Sequence, residues 1–202
     1  MLFLLGFLSL SLAFSPVAPT GERKGAGTEH WPYRLFLTET ISNGGCPGYV
    51  SGSNQEPFKR DLALKQLKAL ASEHGITMVV SLVQRDQIAS LAKQVPLAQE
   101  AWKMHTEDRN YQRNVKLFEH VAELSKTHRV YVHCRHGTHR AVIVTMGAFI
   151  AAGKAKSVGE AFRLADGHLG SFQAGYSRPY LRHLVRYARE KGIVVEAMYK
   201  DF

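Results

Sequence analysis

The sequence predicts an α/β fold, a central and mainly parallel β-sheet flanked by helices on both faces. Three observations predict it. Stretches with apolar residues at helical spacing alternate with short runs rich in β-branched residues. Those runs are apolar throughout rather than alternating, as in strands buried on both faces of a parallel sheet. Residues 129–152 read as strand, tight loop and buried helix, which puts the loop at a strand's carboxyl end, where open α/β sheets bind ligands.

Along the chain, residues 31–37 predict a first strand, residues 43–48 (Asn-Gly-Gly-Cys-Pro-Gly) a turn, and residues 49–53 the start of another strand. From Arg60 to His74, Leu64, Leu67, Leu70 and Ala71 fall on one helical face, and Gly75 supplies the stop. Residues 76–83 are short and β-branched, a buried strand. A short helix over residues 87–93 precedes Pro96, and residues 101–105 predict a brief strand. A polar loop, residues 106–110, leads to a helix over residues 112–126 with Val115, Leu117, Phe118, Val121 and Leu124 as its apolar stripe. The apolar run 129–132, the loop and the apolar run 141–152 follow. Ser157 and Glu160 have capping-box spacing and open a helix towards Ala165, while Ser177-Arg178-Pro179 opens a last helix that Gly192 stops.

The 202 residues suit one domain with a proper core. Residues 1–13 are uncharged and strongly apolar, so residues 1–18 read as a secretory signal, 19–30 as a linker and 31–202 as the folded domain. That reading places the protein in the periplasm or outside the cell, with a retained membrane anchor as the alternative. The net charge of +9 points to anionic partners, among which an anionic membrane surface is one. Nucleic acid is not among them, because the basic residues are dispersed and no zinc-finger or RNA-binding signature is present. Arg178, Arg182, Arg186 and Arg189 form a basic row on the last helix, either a solvated face or a docking surface. Two cysteines, Cys46 and Cys134, cannot form a disulfide framework; Cys46 reads as a semi-exposed loop residue or as a reversible partner for Cys134. No cofactor is called for, and no Cys/His spacing suits a structural metal.

The chemistry concentrates in residues 132–140, Val-His-Cys-Arg-His-Gly-Thr-His-Arg. The N–H groups of a strand-to-helix loop, the helix dipole and a guanidinium at Arg140 together favour an anion above Cys134, and favour its thiolate. Gly137, in mid-loop, permits a turn that a Cβ would oppose. Five residues separate Cys134 from Arg140. This His-Cys-(x)5-Arg pattern resembles the signature of the protein tyrosine and dual-specificity phosphatases, over about residues 49–192, and most closely a compact exported type.

The resemblance implies a dual-specificity-phosphatase-like fold and hydrolysis of phosphate monoesters through a phosphocysteine. Cys134 would be the nucleophile and Arg140 a bidentate clamp on the phosphoryl oxygens, a geometry a lysine could not supply. The loop from Arg135 through His136, Gly137, Thr138 and His139 to Arg140 would bind the phosphate, and His133 would order the loop. Asp108, 26 residues before Cys134 on the polar loop, would be the general acid; a helix cap is its other reading, with Glu107 and then Asp86 as competitors. The family's usual hydroxyl after the arginine is Ala141 here, which favours slow hydrolysis of the intermediate unless Thr138 or Thr145 substitutes. The substrate would be a phosphorylated protein or, given the basic loop, a polyphosphorylated inositol or lipid headgroup, handled by a monomer. A phosphate-binding pseudophosphatase is the alternative, and a sulfur- or arsenate-handling enzyme a more distant one.

Overall fold

A computed structural model of the chain describes residues 21–51, 53, 55–83, 87–165 and 178–202. The signal peptide expected over residues 1–18, the competing acid Asp86 and the cap Ser177 lie outside the described residues. Strands β1 (Glu22–Arg23), β2 (Phe36–Leu37), β3 (Ile41–Gly44), β4 (Met78–Ser81), β5 (Ala98–Ala101) and β6 (Val130–His133) form one sheet in the order β1-β2-β3-β6-β4-β5. The four strands from β3 to β5 in that order are parallel neighbours, and β2 and β1 extend the sheet antiparallel beyond β3.

Helices α1 (Arg60–Ser72), α2 (Ala89–Ala92), α3 (Tyr111–Leu124), α4 (Arg140–Ala151), α5 (Val158–Ala165) and α6 (Arg178–Glu190) divide between the faces. Side chains alternate across each strand. Val80, Val130 and Val132 therefore pack with Phe118, Ile143 and Leu184 of the α3–α6 layer, whereas Val79 and Tyr131 pack with Leu67, Leu70 and Leu91 of α1 and α2. The two-faced α/β architecture expected from the sequence is the one observed. Among the described residues no helix is long and apolar enough to cross a membrane.

Several local expectations are corrected. The strand expected over residues 31–37 is confined to Phe36–Leu37, and residues 22–23, within the expected linker, pair with it as β1. No strand occupies the described part of residues 49–53; one of the two strands beside β6 is β3, which ends in the stretch whose glycines and asparagine read as a turn. Its Ser42 and Asn43 are buried, which their polarity concealed. Strand β5 ends at Ala101, where a strand was expected to begin. The capping box at α5 is realised with a shift: Glu160 N donates to Ser157 Oγ, but the Glu160 carboxylate accepts from Lys156 N, one residue before the cap. Glu196 completes that helix start by accepting from Ser157 Oγ and Gly159 N.

Candidate active site

Strand β6 lies between β3 and β4, so the loop that leaves it rises from the middle of the sheet's carboxyl edge. Both neighbours hold that loop. On one side Cys134 N donates to Gly44 O at 3.4 Å, Cys46 N to Arg135 O at 3.1 Å, and Gly45 bridges His136. On the other, Leu82 N donates to His133 O at 2.8 Å, and Leu82 O accepts from Arg140 Nη1 at 2.6 Å. Leu82, just past β4, thus fixes the guanidinium that opens α4. Sequence reasoning gave it no role, because its contribution is entirely main chain.

Cys134 is buried at the base of the loop. Gly137 turns the loop with φ +68°, and a Cβ there would stand 2.9 Å from Gly44 Cα and closer still to Gly44 C and Gly45 N. The site needs glycine for both conformation and space. Helix α4 begins at Arg140, so the loop that Cys134 opens closes on the helix's N-terminal dipole end. Residues 141–150 are all buried, which ties the loop's far end rigidly to the core.

His133 is fully buried, stacked on Tyr131 with ring centroids 5.9 Å apart. Burial pushes its pKa down to about 3, and Arg140 adds to the effect, so the ring is neutral. Tyr131 donates its hydroxyl to Gly45 O at 2.5 Å and braces the adjoining segment. His136 and His139 are also pushed below the usual histidine range, by burial first and then by nearby arginines, including Arg34. Arg34 is a loop neighbour that sequence reasoning missed. Only its position ahead of β3, whose end packs on the loop, could have signalled it.

Arg135 turns towards residues 49–56. Its guanidinium donates to Tyr49 Oη at 2.7 Å and Glu56 O at 3.2 Å, and lies 4.1 Å over the Tyr49 ring. Cys46 is buried rather than semi-exposed, and neither it nor Cys134 is in a disulfide. Thr145 Oγ1 is buried on α4 without a hydrogen-bond partner among the described residues, while Ala141 is fully buried.

Asp108 opens a 3₁₀ turn, Asp108–Asn110, between β5 and α3. That turn follows the carboxyl end of a strand parallel to β4 and β6, so it lies on the same edge of the sheet as the cysteine loop. Its carboxylate faces α6, with Oδ1 3.6 Å from His183 Nε2 and 4.0 Å from Arg182 Nη1, and 69% of the side chain is exposed. Glu107 is bound differently: its own backbone N–H and Asn110 Nδ2 hold its carboxyl below the usual carboxylate range. The basic row of α6 is largely engaged within the fold. Arg186 pairs with Glu190 at 3.0 Å and covers Tyr111, and Arg189 donates to Lys200 O and Phe202 O.

No protein-family model matches the chain, and neither does any curated protein. Solved structures do match. P. aeruginosa TpbA in complex with pTyr is similar over 85% of this chain and 91% of its own, at 15% identity and a TM-score of 0.56. A kinase associated phosphatase whose catalytic-site cysteine is replaced by serine covers 88% of this chain and 98% of its own, at 12% identity and a TM-score of 0.59. A mouse putative dual specificity phosphatase complexed with zinc tungstate covers 94% and 99%, at 12% identity and a TM-score of 0.52.

Proposed function

We propose that this chain, which has the fold of the tyrosine and dual-specificity phosphatases, hydrolyses phosphate monoesters through a phosphocysteine on Cys134. One observation carries the reading: Cys134 is buried at the carboxyl end of the central strand, and Leu82, whose N–H binds the adjacent His133 O, accepts from the guanidinium that starts the next helix. The sulfur attacks phosphorus, the P–O ester bond breaks, and the leaving oxygen takes the proton of Asp108. Arg140 and the helix end stabilise the charge on the equatorial oxygens. A water deprotonated by the same carboxylate then attacks phosphorus, breaks the S–P bond and returns the thiolate with inorganic phosphate.

The substrate class we favour is a phosphorylated protein or a polyphosphorylated inositol or lipid headgroup, met outside the cytoplasm if residues 1–18 direct export. The test is hydrolysis of p-nitrophenyl phosphate by the full chain across pH 4 to 8. Wild-type turnover, its abolition in Cys134→Ser and a fall of about 10²-fold in Asp108→Asn are expected. Activity surviving Cys134→Ser would refute the mechanism. Ala141 favours a second reading, a binding module with poor turnover, which predicts vanadate binding through Arg140 without steady product formation.

A further inference from the structure

Asn114, on α3 and fully buried, has its amide orientation fixed: Oδ1 accepts from His105 N at 3.0 Å, and Nδ2 donates to His105 O at 2.7 Å. A flipped amide would set donor against donor and acceptor against acceptor. The same Nδ2 lies 2.7 Å from His183 Nδ1, so that ring nitrogen is the acceptor and the proton of the neutral imidazole sits on Nε2. His183 is buried on α6, and among the described residues Nε2 has no hydrogen-bond partner; the carboxylate oxygen set 3.6 Å from it is Asp108 Oδ1. Arg182 Nη1 approaches that same oxygen at 4.0 Å. The exposed Asp108 needs only a small side-chain rotation to close the gap to hydrogen-bond length.

We infer that His183, oriented by Asn114, is a positioning residue for the general acid: its Nε2–H engages Asp108 Oδ1 and leaves Oδ2 as the oxygen that carries the proton to the leaving group. The inference rests on the reading of Asp108 as the acid given above. Its chemistry is that of a carboxylic acid with two inequivalent oxygens. An oxygen that accepts from N–H cannot also hold the acidic proton in that direction, so the other oxygen holds it and faces outward. Asn114 also ties both main-chain groups of His105, so the loop bearing Asp108 and the ring that orients it are fastened to one buried amide. Among the described residues the other groups facing the ring are Tyr111, edge-on at 5.6 Å, Arg186 and Arg182; burial first, and then the two arginines, hold His183 below the usual histidine range against the opposing pull of Asp108.

The test has two arms on the full chain. In the wild type, ¹⁵N NMR of the histidine rings should show His183 with a bare Nδ1 and a protonated Nε2; the reverse tautomer would overturn the inference with no variant made. In the second arm, turnover of p-nitrophenyl phosphate is compared with that of phenyl phosphate, whose poorer leaving group depends more on a proton donor. His183→Leu should lose about 10-fold or more on phenyl phosphate and only about 2-fold on p-nitrophenyl phosphate at unchanged KM, with His183→Gln recovering much of the loss. In the Asp108→Asn background His183→Leu should cost nothing further. Equal losses on both substrates, or an undiminished loss in the Asp108→Asn background, would overturn the positioning role alone. If Asp108→Asn itself spares phenyl phosphate, the acid reading fails and the inference falls with it.

Discussion

Gly137→Ala separates the two demands that the cysteine loop makes of its glycine. Alanine at φ +68° pays about 1–2 kcal/mol for the left-handed backbone. Its Cβ would also press on Gly44 and Gly45, which are tied into β3 and into the loop, and such overpacking costs about 1–3 kcal/mol more. Gly153 provides the control, because its φ is +67° and nothing lies within 4 Å of the added Cβ. Gly153→Ala therefore carries the backbone cost alone, offset in part by the reduced freedom of the unfolded chain. At about 2–4 °C per kcal/mol for a domain of this size, Gly137→Ala should melt about 2–12 °C below Gly153→Ala. It should also bind vanadate at least about tenfold more weakly, because the strain is relieved by moving the loop off Gly44. Differential scanning calorimetry and vanadate titration of both variants measure this. Equal melting temperatures with intact vanadate affinity in Gly137→Ala would refute the packing argument.

His133 makes stability depend on pH: its folded ring stays neutral with a pKa of about 3, while the unfolded ring protonates from 6.5 downwards. The unfolded state therefore takes up the proton, and stability falls by about 2 kcal/mol between pH 7 and pH 5; urea midpoints of His133→Gln should show a loss smaller by that amount, and parallel profiles would contradict it. Arg135→Met should cost about 1–2 kcal/mol by urea unfolding, through its lost contacts to Tyr49 and Glu56, yet keep vanadate affinity within about twofold. A large affinity loss would mean that the guanidinium leaves Tyr49 to bind the anion. Ala141→Ser should raise the steady rate relative to the burst in rapid-quench experiments with p-nitrophenyl phosphate, and an unchanged ratio would show that the missing hydroxyl does not limit turnover.

Much of the site was legible because its signals are local. Cys134, Gly137 and Arg140 sit on one loop, their spacing is fixed by the turn, and the apolar runs on either side declare a strand and a helix. The helices were legible for the same reason: the stripe Val115, Leu117, Phe118, Val121 needs no partner to be seen. What failed was non-local. Strand β3 is Ile-Ser-Asn-Gly, and its place beside β6 comes from main-chain pairing and from Thr38, whose hydroxyl donates to Ile41 O. Leu82 and Arg34 act on the loop across the fold, the first through its carbonyl. The link from Asn114 to His183 joins α3 to α6 across 69 positions of sequence, and nothing local to either residue signals the other.

The same distinction revises the charge of the site. The sequence offers Arg135, His136, His139 and Arg140 as one basic loop, which suggests a cup for several phosphates. In the fold Arg135 is committed to Tyr49, and the two histidines are held below their usual pKa by burial and by the arginines around them. At neutral pH the positive charge at the cysteine is therefore chiefly that of Arg140, with Arg34 on the side of β3. A dianion entering the loop would offset the arginines that, after burial, hold the histidines low, and so would favour their charged form. In its empty state the loop therefore carries less positive charge than its sequence suggests. On the proposed reading, discrimination for additional anionic groups falls to residues outside the signature, so the substrate is set by those surroundings.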